Sequence, residues 1–334
     1  MDLEKVANLI ESEYAFFTRV HPQWSLTAGP QDMELVAHAL RVLLHMGKVL
    51  ESLPEYLALV KIQHADGGWG RESTEKESAA WVSAFCALML IRGNAVLNHP
   101  EIEQSIWKSI DYFLQGQKPD GRWVDSEWGD LDTTSHPVSF FNVVLALGSP
   151  PMRERVRTPW RKGLRFILNA QSEDGGWYDP VFQPSGVETT AHLVQDAVIA
   201  SLVLPAGLPV RPVCEKGLNW ILRTQAGDGS WDDHNVDHTM DCTRSALLIS
   251  RMLRAEDRAR PALEKAIDWI AANKNQTGWP DFPGMETHLE RTCDGLDVLL
   301  KYQAWRQGDS LETVRRWGYV PGHPTFLRGI PAGV

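Results

Sequence analysis

An all-α fold of repeated helix pairs, closing into an α/α toroid (an α6/α6 barrel), is predicted for this 334-residue chain by three observations. First, a Gln-x-x-x-Gly-x-Trp motif recurs as Gln63 to Trp69 (QHADGGW), Gln117 to Trp123 (QKPDGRW), Gln171 to Trp177 (QSEDGGW) and Gln225 to Trp231 (QAGDGSW), with each Trp 54 positions after the last. Self-similarity at a fixed period marks a repeat array. Second, the segment before each motif carries apolar residues at three- and four-residue steps, the stripe of an amphipathic helix. Third, the segment after each motif is apolar round most of its circumference, as a helix buried on nearly all sides would be.

The elements follow in order as outer helix, turn, inner helix. The pairs read YLALVKIQ then ESAAWVSAFCALMLI, SIWKSIDYFLQGQ then DTTSHPVSFFNVVLAL, TPWRKGLRFILNAQ then ETTAHLVQDAVIASLVL, and CEKGLNWILRTQ then DCTRSALLISRML. A worn copy, Asn273 to Trp279 (NKNQTGW), comes 48 residues after Trp231; Trp24, 45 before Trp69, stands where a further copy would begin. That makes five repeats, or six with Trp24 as the mark of a ruined copy at the front. Residues 1–316 form one toroid domain, and the Pro- and Gly-rich stretch from Trp317 to Val334 is an irregular tail. Within the motif, Gly lets the chain turn, Trp buries a large ring between neighbours, and Gln caps backbone groups at a helix end.

Composition narrows the function. With 43 Asp plus Glu against 33 Lys plus Arg, the net charge of −10 argues against nucleic acid as a partner. No apolar run reaches the roughly 18 residues of a membrane span, and the opening MDLEKVANLIESEY lacks the regions of a signal peptide, so a cytoplasmic protein is expected. Four cysteines, Cys86, Cys214, Cys242 and Cys293, show no CxxC spacing and fit reduced thiols.

Counting from each Trp places a carboxylate at the start of every inner helix: Glu34, Glu77, Asp132, Glu188, Asp241 and Glu286. Acids there favour the positive helix end by about 0.3 to 1 kcal/mol each, which suffices for most of them. Four residues on, on the same helical face, stand His38, Trp81, His136, His192, Ser245 and Glu290. Three repeats therefore pair an acid with a histidine, and Asp132–His136 (DTTSH) closely parallels Glu188–His192 (ETTAH). Such a register suggests a polar cluster within an apolar channel.

The Gln-x-x-x-Gly-x-Trp repeats resemble those of the squalene/hopene and oxidosqualene cyclases, the prenyltransferase and squalene oxidase repeat superfamily, and cover the chain from Trp24 to Trp279. Asp130 to Thr134 (DLDTT) resembles the DxDTT variant of the DxDD motif of class II terpene cyclases, associated with drimane-type sesquiterpene cyclases; Thr133 replaces the fourth-position Asp. The resemblance implies protonation-initiated cyclisation of a linear isoprenoid, a prenyl diphosphate such as farnesyl diphosphate, with Asp132 as the proton donor and Asp130 as its support. A second resemblance, of DCTRSAL at Asp241 to Leu247 to the catalytic-acid segment of oxidosqualene cyclases, offers Asp241 as a rival acid.

An acid that protonates an alkene at neutral pH needs its pKa raised by about 3 units, through desolvation and a neighbouring negative charge. His136 or His192 would orient the donated proton, and Trp81, Phe85, Trp128, Phe140 and Phe141, with Glu188 and Asp241, would line the cavity and hold the cation. Arg122, Arg244 and Arg291 are the candidates for a diphosphate head. The chemistry requires no cofactor and no metal; Mg2+ would accompany a diphosphate only. The absence of a DDxxD sequence disfavours ionisation-initiated chemistry.

Other classes remain open. His38, His136 and His192 with Glu34, Asp132 and Glu188 could chelate a metal, making a metalloenzyme on the same toroid. A protein prenyltransferase is disfavoured, since no Asp-x-Cys zinc pair occurs. A non-catalytic toroid binding a lipid or protein is a further alternative. If the chain is a cyclase, water must be kept from its cavity by the N-terminal helix, the tail, a homodimer partner or another subunit.

Overall fold

The computed structural model describes residues 1–125, 129–179, 181, 184–203 and 208–307, and among them every regular element is helical. Trp128 and the tail from Trp317 lie outside the described residues. Helices α1 (Leu3–Arg19), α3 (Leu53–Lys61), α5 (Pro100–Gly116), α7 (Pro150–Asn169), α9 (Val210–Thr224) and α11 (Glu256–Ala272) alternate with α2 (Met33–His45), α4 (Ala80–Leu97), α6 (Asp130–Leu147), α8 (Val187–Val203), α10 (Val236–Leu253) and α12 (Leu289–Gln307). The first set bury one face: in α5, Ile102, Ile106, Ile110 and Phe113 are buried while Glu101 and Glu103 are exposed. The second set are buried almost throughout, as α4 and α12 show. These are the expected outer and inner helices.

The chain divides into two compact units. One contains α2 to α7 (Pro22–Asn169); the other contains α1 (within Met1–His21), most of α8 (within Ala170–Val198) and α9 to α12 (from Leu208).

The motif does within each unit what its residue types predict. Gln117 Nε2 donates to Gly121 O at 2.9 Å and to Pro159 O of the next outer helix at 2.8 Å. Gln63, Gln171 and Gln225 reach Ser105, Val213 and Ala262 in the same manner. Gly121 adopts φ +103°, and a Cβ there would lie 2.5 Å from the Lys162 carbonyl oxygen, so only glycine allows both the turn and the close approach. Nε1 of Trp69, Trp123, Trp231 and Trp279 donates back to the outer helix just left, at Leu59, Phe113, Ile221 and Ile270.

The worn fifth copy is held differently. Glu13 of α1, buried at 2% exposure, accepts the Gly278 N–H at 2.7 Å and pairs with Lys274 Nζ at 3.0 Å. Thus α1 takes the place that a following outer helix takes in earlier copies, and a carboxylate replaces the motif's Gln.

Two expectations are corrected. Helix α4 is long and apolar enough to cross a membrane (18 residues, mean hydropathy 1.6), but 67% of it is buried inside the protein, as befits a core helix. Nor does a counted carboxylate open every inner helix: Glu77 and Glu286 precede α4 and α12, and Asp241 lies in the second turn of α10.

Candidate active site

The register of five inner helices, α4, α6, α8, α10 and α12, is set by a hydroxyl. The backbone N–H of Trp69, Trp123, Trp177, Trp231 and Trp279 donates to the side-chain oxygen of Ser83, Thr134, Thr190, Thr239 and Thr292, at separations of 14, 11, 13, 8 and 13 residues. Two residues before the hydroxyl stand Trp81, Asp132, Glu188, Asp237 and Glu290; two after stand Phe85, His136, His192, Asp241 and Asp294. Asp241 is therefore equivalent to His136 and His192, one turn deeper than the position of Asp132.

In the unit of α2 to α7, α6 carries Asp130, Asp132 and His136. Pro137 removes the N–H that would have bonded the Thr133 carbonyl, opening the ladder in the turn that holds these side chains. Asp132 is buried (5% exposed), and its Oδ2 lies 3.2 Å from His136 Nε2. Asp130 is 39% exposed and accepts from Arg122 Nη1 at 2.7 Å, and Arg122 Nε also pairs with Asp120 at 3.3 Å. The Phe85 ring sits 4.8 Å from the His136 ring, with Trp81 at 6.1 Å and His38 at 5.7 Å, both edge-on. Phe140 and Phe141, expected to line a cavity, are fully buried and pack on Phe113 at 5.6 and 6.2 Å. They belong to the core between α5 and α6.

In the other unit, His192 Nε2 lies 3.2 Å from Asp241 Oδ2, while Arg244 Nη2 contacts Asp241 Oδ1. Burial pushes the Asp241 carboxyl up, but Arg244 and His192 outweigh it and hold it well below the usual range. Arg244 Nη1 pairs with Asp294 at 2.7 Å and Asp297 at 3.4 Å, and Lys301 also binds Asp297 at 2.7 Å. Arg291 pairs with Asp237 and Asp281, each at 3.0 Å, Glu290 at 2.5 Å and Asp294 at 3.2 Å. Asp237 is raised well above its ordinary value by burial and the acids around it, against the pull of Arg291. Glu188 is held by His238, whose Nδ1 binds Asp232 at 2.6 Å.

Asp130, Asp132, His136, Trp81 and Phe85 are thus gathered with Arg122 in one unit, and His192 and Asp241 in the other, with Glu188 on His238. Arg244 and Arg291, expected at a diphosphate, are each engaged by three or more acids. Sequence reasoning missed Asp237, His238, Asp294, Asp297 and Lys301. The repeated acid-x-x-x-acid spacing of Asp237–Asp241 and Glu290–Asp294 could have shown the first and third.

Residues 78–241, which hold all the carboxylates and histidines just named up to Asp241, match the family model of the squalene-hopene cyclase C-terminal domain. Lanosterol synthase of Pneumocystis carinii is 27% identical over 140 residues, covering 40% of this chain and 18% of that protein. The terpene cyclase/mutase ntnI of Nectria sp is 26% identical over 135 residues, 39% of this chain and 18% of that protein. The match therefore spans under a fifth of the length of these curated relatives.

A variant of the type II terpene cyclase MstE from Scytonema, solved with geranylgeranyl dihydroxybenzoate, superposes with TM-score 0.65 at 14% identity, over 91% of this chain and 99% of that one. Ent-copalyl diphosphate synthase from Streptomyces platensis gives 0.58 at 14%, over 86% and 50%. A family 88 glycosyl hydrolase from Bacteroides vulgatus gives 0.61 at 13%, over 92% and 99%. At these identities the likeness establishes the fold, and the hydrolase shows that the fold alone does not set the chemistry. The fold class is the α/α toroid. By sequence, residues 78–241 are thus similar to the squalene-hopene cyclase C-terminal domain and to lanosterol synthases and other terpene cyclases.

Proposed function

We propose that this chain cyclises a linear isoprenoid by protonation, with Asp132 as the general acid. The observation that carries the reading is a buried carboxyl bonded on one oxygen by His136, beside the Phe85 ring, within the span matched by the cyclase family. With Oδ2 held by the imidazole, the other oxygen carries the proton to an alkene carbon. The π electrons form the new C–H bond, the adjacent carbon becomes cationic, and a neighbouring double bond attacks it. The negative charge left on Asp132 is stabilised by His136, and the faces of Phe85 and Trp81 attract the cation.

The protein's own charges favour a head group other than the expected diphosphate. Arg122, Arg244 and Arg291 are all held by carboxylates within their units, so none is set aside for a polyanion. A polyprenyl chain on a hydroxylated aromatic head, as in the compound bound by the MstE variant, fits this balance better. No cofactor takes part in the proton transfer, and Mg2+ has a place only if a diphosphate is accepted.

Purified protein and an Asp132→Asn variant are to be incubated with geranylgeranyl dihydroxybenzoate, and with farnesyl and geranylgeranyl diphosphate with and without Mg2+, followed by mass-spectrometric product analysis. A cyclic product that disappears in the variant supports the reading; cyclisation that persists in Asp132→Asn removes Asp132 from the role of acid.

A further inference from the structure

Asp241 and Arg244 have no part in the proton donation assigned to Asp132, yet they are buried at 3% and 9% exposure and bound on every side. Both carboxylate oxygens of Asp241 meet a donor: Oδ1 the Arg244 guanidinium, Oδ2 the His192 Nε2 at 3.2 Å. The groups facing Asp241 are Arg244 and Asp237 from its own helix, His192 from α8, and Asp294 from α12. Arg244 cannot turn away, because its other terminal nitrogen is held by Asp294 and Asp297, and Lys301 pins Asp297 in turn. The neighbouring Ser245 Oγ donates to the Ala191 carbonyl at 2.7 Å, joining α10 to α8 at the residue before His192. From Lys301 to Asp241 the chain of contacts is buried, and His192, a quarter exposed, is where it reaches accessible space.

We propose that Arg244 and Asp241 are positioning residues for His192: Arg244 holds the Asp241 carboxylate in place, and that carboxylate fixes the imidazole with its Nε2 proton turned inward. A carboxylate can only accept, so the ring nitrogen facing it must be the donor. The tautomer and orientation of the imidazole are thereby set from the protein interior, as outer-shell carboxylates set the rings of working histidines elsewhere. Asp241 is then the anchor of a histidine, contrary to the proton-donor role that its DCT setting suggests. The effect on rate rests on the cyclase reading; the state of the ring does not.

The test is the long-range 1H–15N spectrum of histidine-labelled full-length protein at neutral pH, with His192→Asn identifying the resonance. His192 is expected to show a single Nε2-protonated species in the wild type and in Arg244→Lys, and tautomer averaging in Asp241→Asn and Arg244→Gln. Asp241→Asn keeps the shape of the side chain, which guards against misfolding, and circular dichroism checks each variant. In turnover, Asp241→Asn should lower kcat by about 10- to 100-fold with little change in KM, the range found for outer-shell groups, and Arg244→Lys should recover most of it. An unchanged His192 signature in Asp241→Asn overturns the proposal. A locked imidazole in a protein that cyclises none of the three isoprenoids would sustain the positioning and sink the cyclase reading instead.

Discussion

The backbone N–H of Trp123 donates to Thr134 Oγ1 at 3.0 Å, and this bond fixes the rotation of α6 and hence where Asp132 and His136 face. The same hydroxyl donates to the Asp130 carbonyl at 2.6 Å, so one small side chain joins the repeat motif to the turn that carries the acid.

Replacing Thr134 by Val keeps the shape and leaves the buried Trp123 N–H without its partner. The expected cost is about 1 to 3 kcal/mol in denaturant unfolding, with a fall in turnover larger than any change in KM. A stability equal to wild type would show that the helix is positioned by packing alone.

Asp130 and Asp132 should differ sharply. Asp130 is more than a third exposed and is neutralised by Arg122, whereas Asp132 is buried against His136. Asp130→Asn should reduce turnover about tenfold or less, since partly exposed pairs contribute at most about 1 kcal/mol. Asp132→Asn should reduce it by about 10³-fold or more, within the range of general acid catalysis. Equal losses would mean that the two carboxyls act as one donor.

Glu13→Ala removes the carboxylate that receives Gly278 and Lys274, leaving a buried N–H without its acceptor and a half-buried ammonium with only the Asn275 and Gln276 carbonyls. About 3 kcal/mol of stability should be lost, as for other broken buried pairs. Glu11→Ala on the exposed face of the same helix should change the unfolding midpoint hardly at all.

His238 supplies a pH dependence whose sign is fixed. Burial disfavours its charge, but the hydrogen bond and charge of Glu188, with Asp237 and Asp232, outweigh that and push it up to about 9 from an ordinary 6.5. A raised histidine contributes its stability in full below about pH 6.5 and loses it as pH rises toward 9. Wild-type protein should therefore lose on the order of 3 kcal/mol across that window, and His238→Gln should flatten this part of the stability curve.

The sequence by itself determined the helical repeat, its outer and inner partners, the work of Gln, Gly and Trp in the turn, and the Asp132–His136 pair. These are local: a fixed motif, a 3.6-residue period and a spacing of four need no knowledge of the rest of the chain. The tertiary structure alone decided which residues share a level on the inner helices. Between Trp and the register-setting hydroxyl the chain runs from 8 to 14 residues, so counting from Trp aligned Asp241 with Asp132 when it is the counterpart of His136. It also decided the distant partners of Arg244 and Arg291, because the pairs Arg244–Asp294, Arg244–Asp297 and Arg291–Asp237 join residues 50 or more apart, beyond any local pattern. Phe140 and Phe141 went to the core for a similar reason: a helix apolar all round does not announce which of its faces meets the outer layer and which the interior, and only packing against Phe113 and Trp123 settles it.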